Sequence, residues 1–198
     1  MQQQPDPYNR RSLSPPSASY LMISHPLSHV VDRLDRFADA TGRTVAWLSL
    51  AMVLVTFLIV LLRYLFNIGS IALQESVGWM HALLFMLGAA YTLRHDAHVR
   101  VDIFYRRMQP QQQAWVDLLG TLLLMLPLMI FILMSSWPYV VSAWAILERS
   151  PEAGGLPGLF LLKSAIPLLA LLMLLQGVAI ALRALLQLQR LPEDLIDD

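Results

Sequence analysis

The residues of this chain that could do chemistry are few, and they fall in three places. Glu75 and Lys163 each lie about one turn inside a long apolar run. Ionisable groups at such positions are expensive in a membrane and invite a functional reading. If the runs cross a bilayer in alternating directions, the two fall at one depth, where they can pair and offset each other's desolvation. The other reading is that each reaches independently for the headgroups. Arg63, Glu148 or a group on another subunit are further candidate partners. His81 is the lone histidine inside an apolar run, since His25, His29, His95 and His98 all lie outside. It can be a haem or proton-relay ligand, or an interhelical hydrogen bond. Bis-histidine haem ligation needs a second intramembrane histidine, so the hydrogen bond is the favoured reading. Gln74, Gly78, His81, Phe85, Gly88 and Thr92 share one line at 100° per residue, which reads as a helix-contact face in lipid. Gln176, mid-run, reads as packing glue of the same kind.

The densest polar cluster is Arg94-His95-Asp96-Ala97-His98-Val99-Arg100-Val101-Asp102. His95, His98 and Asp102 could hold a metal ion, but the interleaved arginines repel a cation. A charged turn whose basic residues meet anionic headgroups is the simpler reading. There is no glycine-rich phosphate loop, no Ser/His/Asp set and no zinc helix motif. Cys 0 removes disulfides, thiolate metal sites and cysteine nucleophiles. The expectation is a protein that is not an enzyme and has no cofactor.

The elements that position these residues follow from composition. Of 198 residues, 57% are hydrophobic and 14% charged, and mean hydropathy is +0.56. A soluble domain carries about 25% charged residues, so the excess of apolar side chains points to a bilayer. The apolar residues concentrate at about 45–63, 73–93, 115–137 and 159–182, with Pro127 and Pro167 inside the last two. Each run approaches or reaches the roughly 20 residues that a spanning helix needs. Net charge is +0, so no basic excess is available for nucleic acid.

Four spans put both termini on one side. Of the fourteen basic residues, only Arg63, Arg149 and Lys163 fall on the other. The positive-inside rule therefore predicts cytoplasmic termini. Residues 1–26, rich in proline and serine without an apolar run, read as a disordered cytoplasmic tail. Leu27, Val30, Val31, Leu34, Phe37 and Ala38 then recur at helical spacing, with His29, Asp32, Arg33, Asp35, Arg36 and Asp39 opposite. This predicts an amphipathic helix on the membrane surface, ending near Gly42. A second short amphipathic piece is expected from Asp102 to about Met108, and 188–198 reads as an acidic cytoplasmic tail. The expected fold is thus an all-α membrane protein: a four-helix membrane domain at 27–187 with an N-terminal interfacial helix in contact with lipid.

These residues carry a resemblance. Leu73-Gln74-Glu75 opens the second span, and Leu84-Phe85-Met86-Leu87-Gly88-Ala89-Ala90-Tyr91 runs along it. His98-Val99-Arg100-Val101-Asp102-Ile103-Phe104 follows, and Lys163, Ile166-Pro167-Leu168 and Leu175-Gln176-Gly177 mark the fourth span. In order and plan the chain, over about 27–187, resembles the small permease subunit (DctQ-like) of tripartite ATP-independent periplasmic (TRAP) transporters. The His-Val-Arg-Val-Asp stretch is the most specific part, and the proline-rich tail inherits nothing from the family. The resemblance implies a multi-pass inner-membrane subunit that serves as a scaffold for a large permease subunit. It also implies sodium-coupled uptake of an organic acid captured by a periplasmic substrate-binding protein. Gln74, Glu75, His81, His98, Arg100, Asp102, Lys163 and Gln176 are then structural or intersubunit candidates. The competing readings are the membrane anchor of a respiratory enzyme complex, and a self-sufficient small channel or exporter.

Overall fold

The computed structural model describes residues 26–95, 105 and 107–190. The expected tails fall almost wholly outside these residues, as does most of the short piece after Asp102. His98, Arg100 and Asp102 also lie outside them. The described chain is helical: α1 (Pro26–Phe66), α2 (Ile71–Arg94), α3 (Pro110–Gly120), a wide π-helical turn at Thr121–Met125, α4 (Leu126–Ala145), α5 (Leu159–Lys163) and α6 (Ala165–Arg190). Four helical rods are long and apolar enough to cross a membrane: α1, α2, α3 continued through α4, and α5 continued through α6.

The interruptions have local causes. Pro127 has no N–H to offer the carbonyl four residues back, and its ring crowds that carbonyl. The preceding turn widens instead, and the Leu126 N–H bonds the Thr121 carbonyl five residues away. Pro167 likewise leaves the Lys163 carbonyl without its helical donor, and the fourth rod breaks one residue later, at Ser164. The third rod passes through Pro138 without stopping and ends at Ala145, beyond the apolar run read from the sequence. There Leu147 adopts a left-handed conformation (φ 46°). The Glu148 N–H returns 3.0 Å to the Ala143 carbonyl, which closes the helix as a Schellman turn. At the start of α2 the Ser70 hydroxyl accepts from the Leu73 N–H at 3.4 Å.

The fourth rod is the hub, since α6 packs against α1, α2, α3 and α4. Its buried positions are mostly small: Ala165, Ala170, Ala179, Ala181 and Ala184. Between helices in lipid no hydrophobic driving force remains, so close backbone approach and dispersion must hold them. Gly177 serves this directly. A Cβ there would lie 3.0 Å from Leu126 and 3.2 Å from Met125, the side chains of the widened turn and its first successor. The outward faces of α1 and α4 carry large apolar residues such as Leu54, Phe57, Phe131 and Met134.

One expectation is corrected. The amphipathic segment does not end near Gly42 as a separate surface helix; it continues into the first span as one helix of 41 residues. Thr41 and Thr44 bond back to the Phe37 and Ala40 carbonyls at 3.0 and 2.8 Å, so neither needs a break in the helix. Val31, Ala38, Gly42 and Val45 form a buried seam at helical spacing. Gly42 is a point of close approach, not a terminator: any Cβ there would collide with the Tyr91 ring of α2. The Gly42→Leu variant should therefore push α1 off α2 and destabilise the subunit by about 1–3 kcal/mol, the usual penalty of overpacking. Thermal unfolding in detergent measures this. Adding Tyr91→Ala should recover part of the loss, and a Gly42→Leu protein as stable as its parent would contradict the contact.

Candidate functional site

Polar side chains gather at the two ends of the bundle. Glu75 of α2 and His95, which caps that helix, are twenty residues apart, and on the fourth rod so are Lys163 and Arg183. At 1.5 Å per residue each separation is about 30 Å, one hydrocarbon thickness. The two groups are belts at the membrane boundaries, joined by helices that are mostly apolar between them, His81 of α2 being an exception.

The first belt is built around the 146–158 loop. One carboxylate oxygen of Glu75 accepts from the Ser150 hydroxyl, and the other accepts from the Leu156 N–H at 2.7 Å. The loop folds on itself there, with the Ser150 N–H 3.2 Å from the Leu156 carbonyl. Gly155 must stay bare, because a Cβ would sit 2.5 Å from the Ser150 oxygen and 2.8 Å from Glu75 Oε2. Lys163 donates to Glu148 Oε2 at 2.5 Å and lies 4.1 Å from the centroid of the Tyr139 ring. Beside it the Trp144 Nε1–H donates to the Ser164 hydroxyl at 2.9 Å, and Trp144 meets Phe160 edge-on.

This corrects the expected pairing of Glu75 with Lys163. The two occupy one end of the bundle but are not partners. The connecting loop brings a hydroxyl, a backbone N–H and a carboxylate of its own between them. Glu75 ties the loop to α2, and Lys163, through Glu148, ties it to α5. Of the partners considered from the sequence, Glu148 is the one Lys163 uses.

The second belt joins three helices. Asp35 of α1 accepts from Arg183 Nη2 at 2.8 Å and from Gln176 Nε2 at 3.3 Å. The Arg94 guanidinium lies 3.7 Å from the other Asp35 oxygen, donates to the Asp35 carbonyl at 2.5 Å and pairs with Asp39. His95 Nε2 is 3.0 Å from Asp39 Oδ1, and its ring packs 4.4 Å from that of Tyr91. Gln176, 1% exposed, is the largest fully buried side chain among the described residues. Nearby, the Tyr105 hydroxyl donates to Asp117 at 2.7 Å, and Gln187 Nε2 donates to the Pro110 carbonyl at 3.3 Å. This belt thus collects the beginning of α1, the end of α2, the beginning of α3 and the end of α6, so the four rods alternate in direction.

Sequence reading missed most of this belt. Asp35 and Asp39 read from the sequence as part of the polar face of a surface helix, although their i,i+4 spacing, one turn apart, is a visible signal for a shared inward partner. Gln74 and His81 depart from expectation in the opposite sense. Both are exposed, and neither side chain makes a hydrogen bond among the described residues. The line through Gln74, Gly78, His81 and Phe85 lies roughly opposite the line through Ala90 and Arg94. The Arg94 contacts turn the latter inward, so the former faces out. The interhelical bond expected of His81 is not made among the described residues.

Chemically these belts hold helices together. Each described carboxylate above is engaged by a cation, a hydroxyl or an N–H. No group of three or more metal-binding side chains comes together among the described residues. His95, the described member of the trio that the sequence reading disfavours as a metal site, faces Asp39.

Comparison with known proteins agrees with this plan. The family model described as "Tripartite ATP-independent periplasmic transporters, DctQ component" matches residues 52–187. A C4-dicarboxylate TRAP transporter small permease protein, DctQ, of Vibrio cholerae serotype O1 is 29% identical over 108 residues. That stretch covers 54% of this chain and 46% of the relative, so the match spans less than half of the relative's length. No solved structure matches the chain.

The two ties of the loop should behave independently of each other. In a double-mutant cycle on thermal stability, Glu148→Gln and Lys163→Met should be strongly non-additive, because each removes the same bond. Glu75→Gln and Lys163→Met should be additive within error. Strong coupling between Glu75 and Lys163 would restore the direct pair and contradict the loop geometry.

Proposed function

The chain belongs to the DctQ-component family of tripartite ATP-independent periplasmic transporters, and from that premise we propose how this multi-pass transporter subunit, which is not an enzyme, works. It acts as the scaffold for a large permease subunit in the cell inner membrane. The complex takes up an organic acid delivered by a periplasmic substrate-binding protein, driven by a sodium gradient. The chain itself carries neither substrate nor ion.

The observation that carries this reading is the placement of polar groups. Ion and substrate sites in secondary transporters lie near the bilayer midplane, built from broken helices whose freed backbone groups line a cavity. Here the described ion pairs, Asp35 and Asp39 with Arg94, His95 and Arg183, and Glu148 with Lys163, sit in the two boundary belts. Between the belts the hub helix packs through alanine and glycine. Such an arrangement favours rigidity over passage. The related Vibrio protein is named for C4-dicarboxylate transport, which supports an organic acid as substrate.

The arginine asymmetry supports an orientation with both termini, and the Asp35–Arg94–Arg183 belt, in the cytoplasm. The Glu75 and Lys163 belt then faces the periplasm. A cytoplasmic reporter fused at the C-terminus should be active and a periplasmic one silent. The reverse pattern would overturn the orientation.

The scaffold role is tested by reconstitution. Sodium-driven uptake of a C4-dicarboxylate, with the binding protein present, should require both the large subunit and this chain. Uptake should be at background with this chain alone. Full uptake without this chain, or uptake by this chain alone, would contradict the proposal.

A further inference from the structure

The second rod presents a contradiction that the isolated chain does not resolve. α2 is the least apolar of the four spanning candidates, yet little of it is buried within this chain. Its exposed stripe begins at Gln74, beside the Glu75 belt, and continues through Gly78 and His81 to Phe85. His81 lies six residues, about 9 Å, inward of Glu75. A histidine there whose side chain has no partner among the described residues would face hydrocarbon, where an unsatisfied polar group costs several kcal/mol, and Gln74 stands unpartnered among them at the boundary. The outward faces of α1 and α4, with Leu54, Phe57, Phe131 and Met134, raise no such difficulty, since lipid covers them at no cost.

We propose that this stripe, Gln74, Gly78, His81 and Phe85 in the outer half of α2, is the seat of a transmembrane helix of the large permease subunit. The inference rests on the scaffold reading above and names the face that reading requires. Its shape argues for a different chain over a second copy. Nothing lies within 4 Å of a Cβ built on Gly78, whereas Phe85 is 73% exposed two turns further in. The stripe therefore has a hole and a knob about 10 Å apart along the helix. A second copy in the same membrane orientation, related by a two-fold along the membrane normal, would set hole against hole and knob against knob. A helix of another sequence can put a bulky side chain into the gap at Gly78 and a small one opposite Phe85. It can also supply hydrogen-bonding groups at the level of Gln74 and His81, which is how polar and small residues hold helices together in lipid.

The absence of cysteine (Cys 0) permits a direct test in the complete complex. Gly78→Cys and His81→Cys, with Phe57→Cys and Phe131→Cys as comparison faces, are labelled with a benzophenone maleimide in membranes that also contain the large subunit. After illumination, adducts are identified by mass spectrometry. Positions 78 and 81 should join a transmembrane peptide of the large subunit, and 57 and 131 should not. As a second measure, Gly78→Trp should lower the large subunit recovered with this chain by about tenfold. It should leave the melting temperature of the isolated subunit unchanged, because the gap is open there.

Adducts with a second copy of this chain, or with lipid alone, at 78 and 81 would overturn the proposal. So would adducts to the large subunit from 57 or 131 with 78 and 81 silent, an outcome that leaves the scaffold reading intact. Failure of the unsubstituted chain to recover any large subunit would refute the scaffold reading, and this proposal with it.

Discussion

A hydrocarbon layer offers no water to an N–H, a carbonyl or a charge, so each must find its partner within protein or stay at the boundary. The layout of this subunit follows from that constraint. Its described ion pairs collect in two belts about 30 Å apart, and the helices between them are joined by the approach of small residues. The hub helix shows both demands on one element. Its ends carry Lys163 and Arg183, and its interior carries buried alanines with Gly177 against the widened turn at Thr121–Met125.

The two belts solve the same problem differently. At one end a network of side chains joins α1, α2 and α6 directly, and Asp35 bonds both Arg183 and the buried Gln176. At the other a loop is folded down and tied at two points, by Glu75 and by Lys163. That loop contains a strained position: Leu147 is left-handed, a conformation that costs a non-glycine residue about 1–2 kcal/mol. The turn it makes delivers Glu148 to Lys163. A charge-assisted bond formed at a half-buried boundary offsets such strain.

Much of the architecture was legible in the residues. Four apolar runs gave four spanning rods, because run length against bilayer thickness is a strong constraint. Pro127 and Pro167 marked the two irregular places. What was not legible depended on tertiary approach. Gly42 looks the same in a sequence whether it ends a helix or admits a tyrosine ring, and only the position of Tyr91 decides between them. Glu75 and Lys163 were placed at one end correctly, but spacing along helices says nothing about a loop that folds between them. The stripe at Gln74, Gly78, His81 and Phe85 reads from the sequence as a helix-contact face, and in the structure it is exposed. Its direction was not visible, because Arg94 sets the rotation of α2 through partners on α1.

On the proposed scaffold reading this subunit is a rigid, dry membrane element whose polar groups bind its helices together and whose stripe on α2 is left open. The measurement closest to that claim is solvent relaxation of the backbone amides of α6 in lipid nanodiscs, using a water-soluble paramagnetic agent. Amides near Lys163 and Arg183 should relax strongly, and those from Leu168 to Leu175 should remain unaffected on every face of the helix. A periodic pattern of strong relaxation through Leu168–Leu175 would reveal a water-filled path along the hub, and would contradict the account.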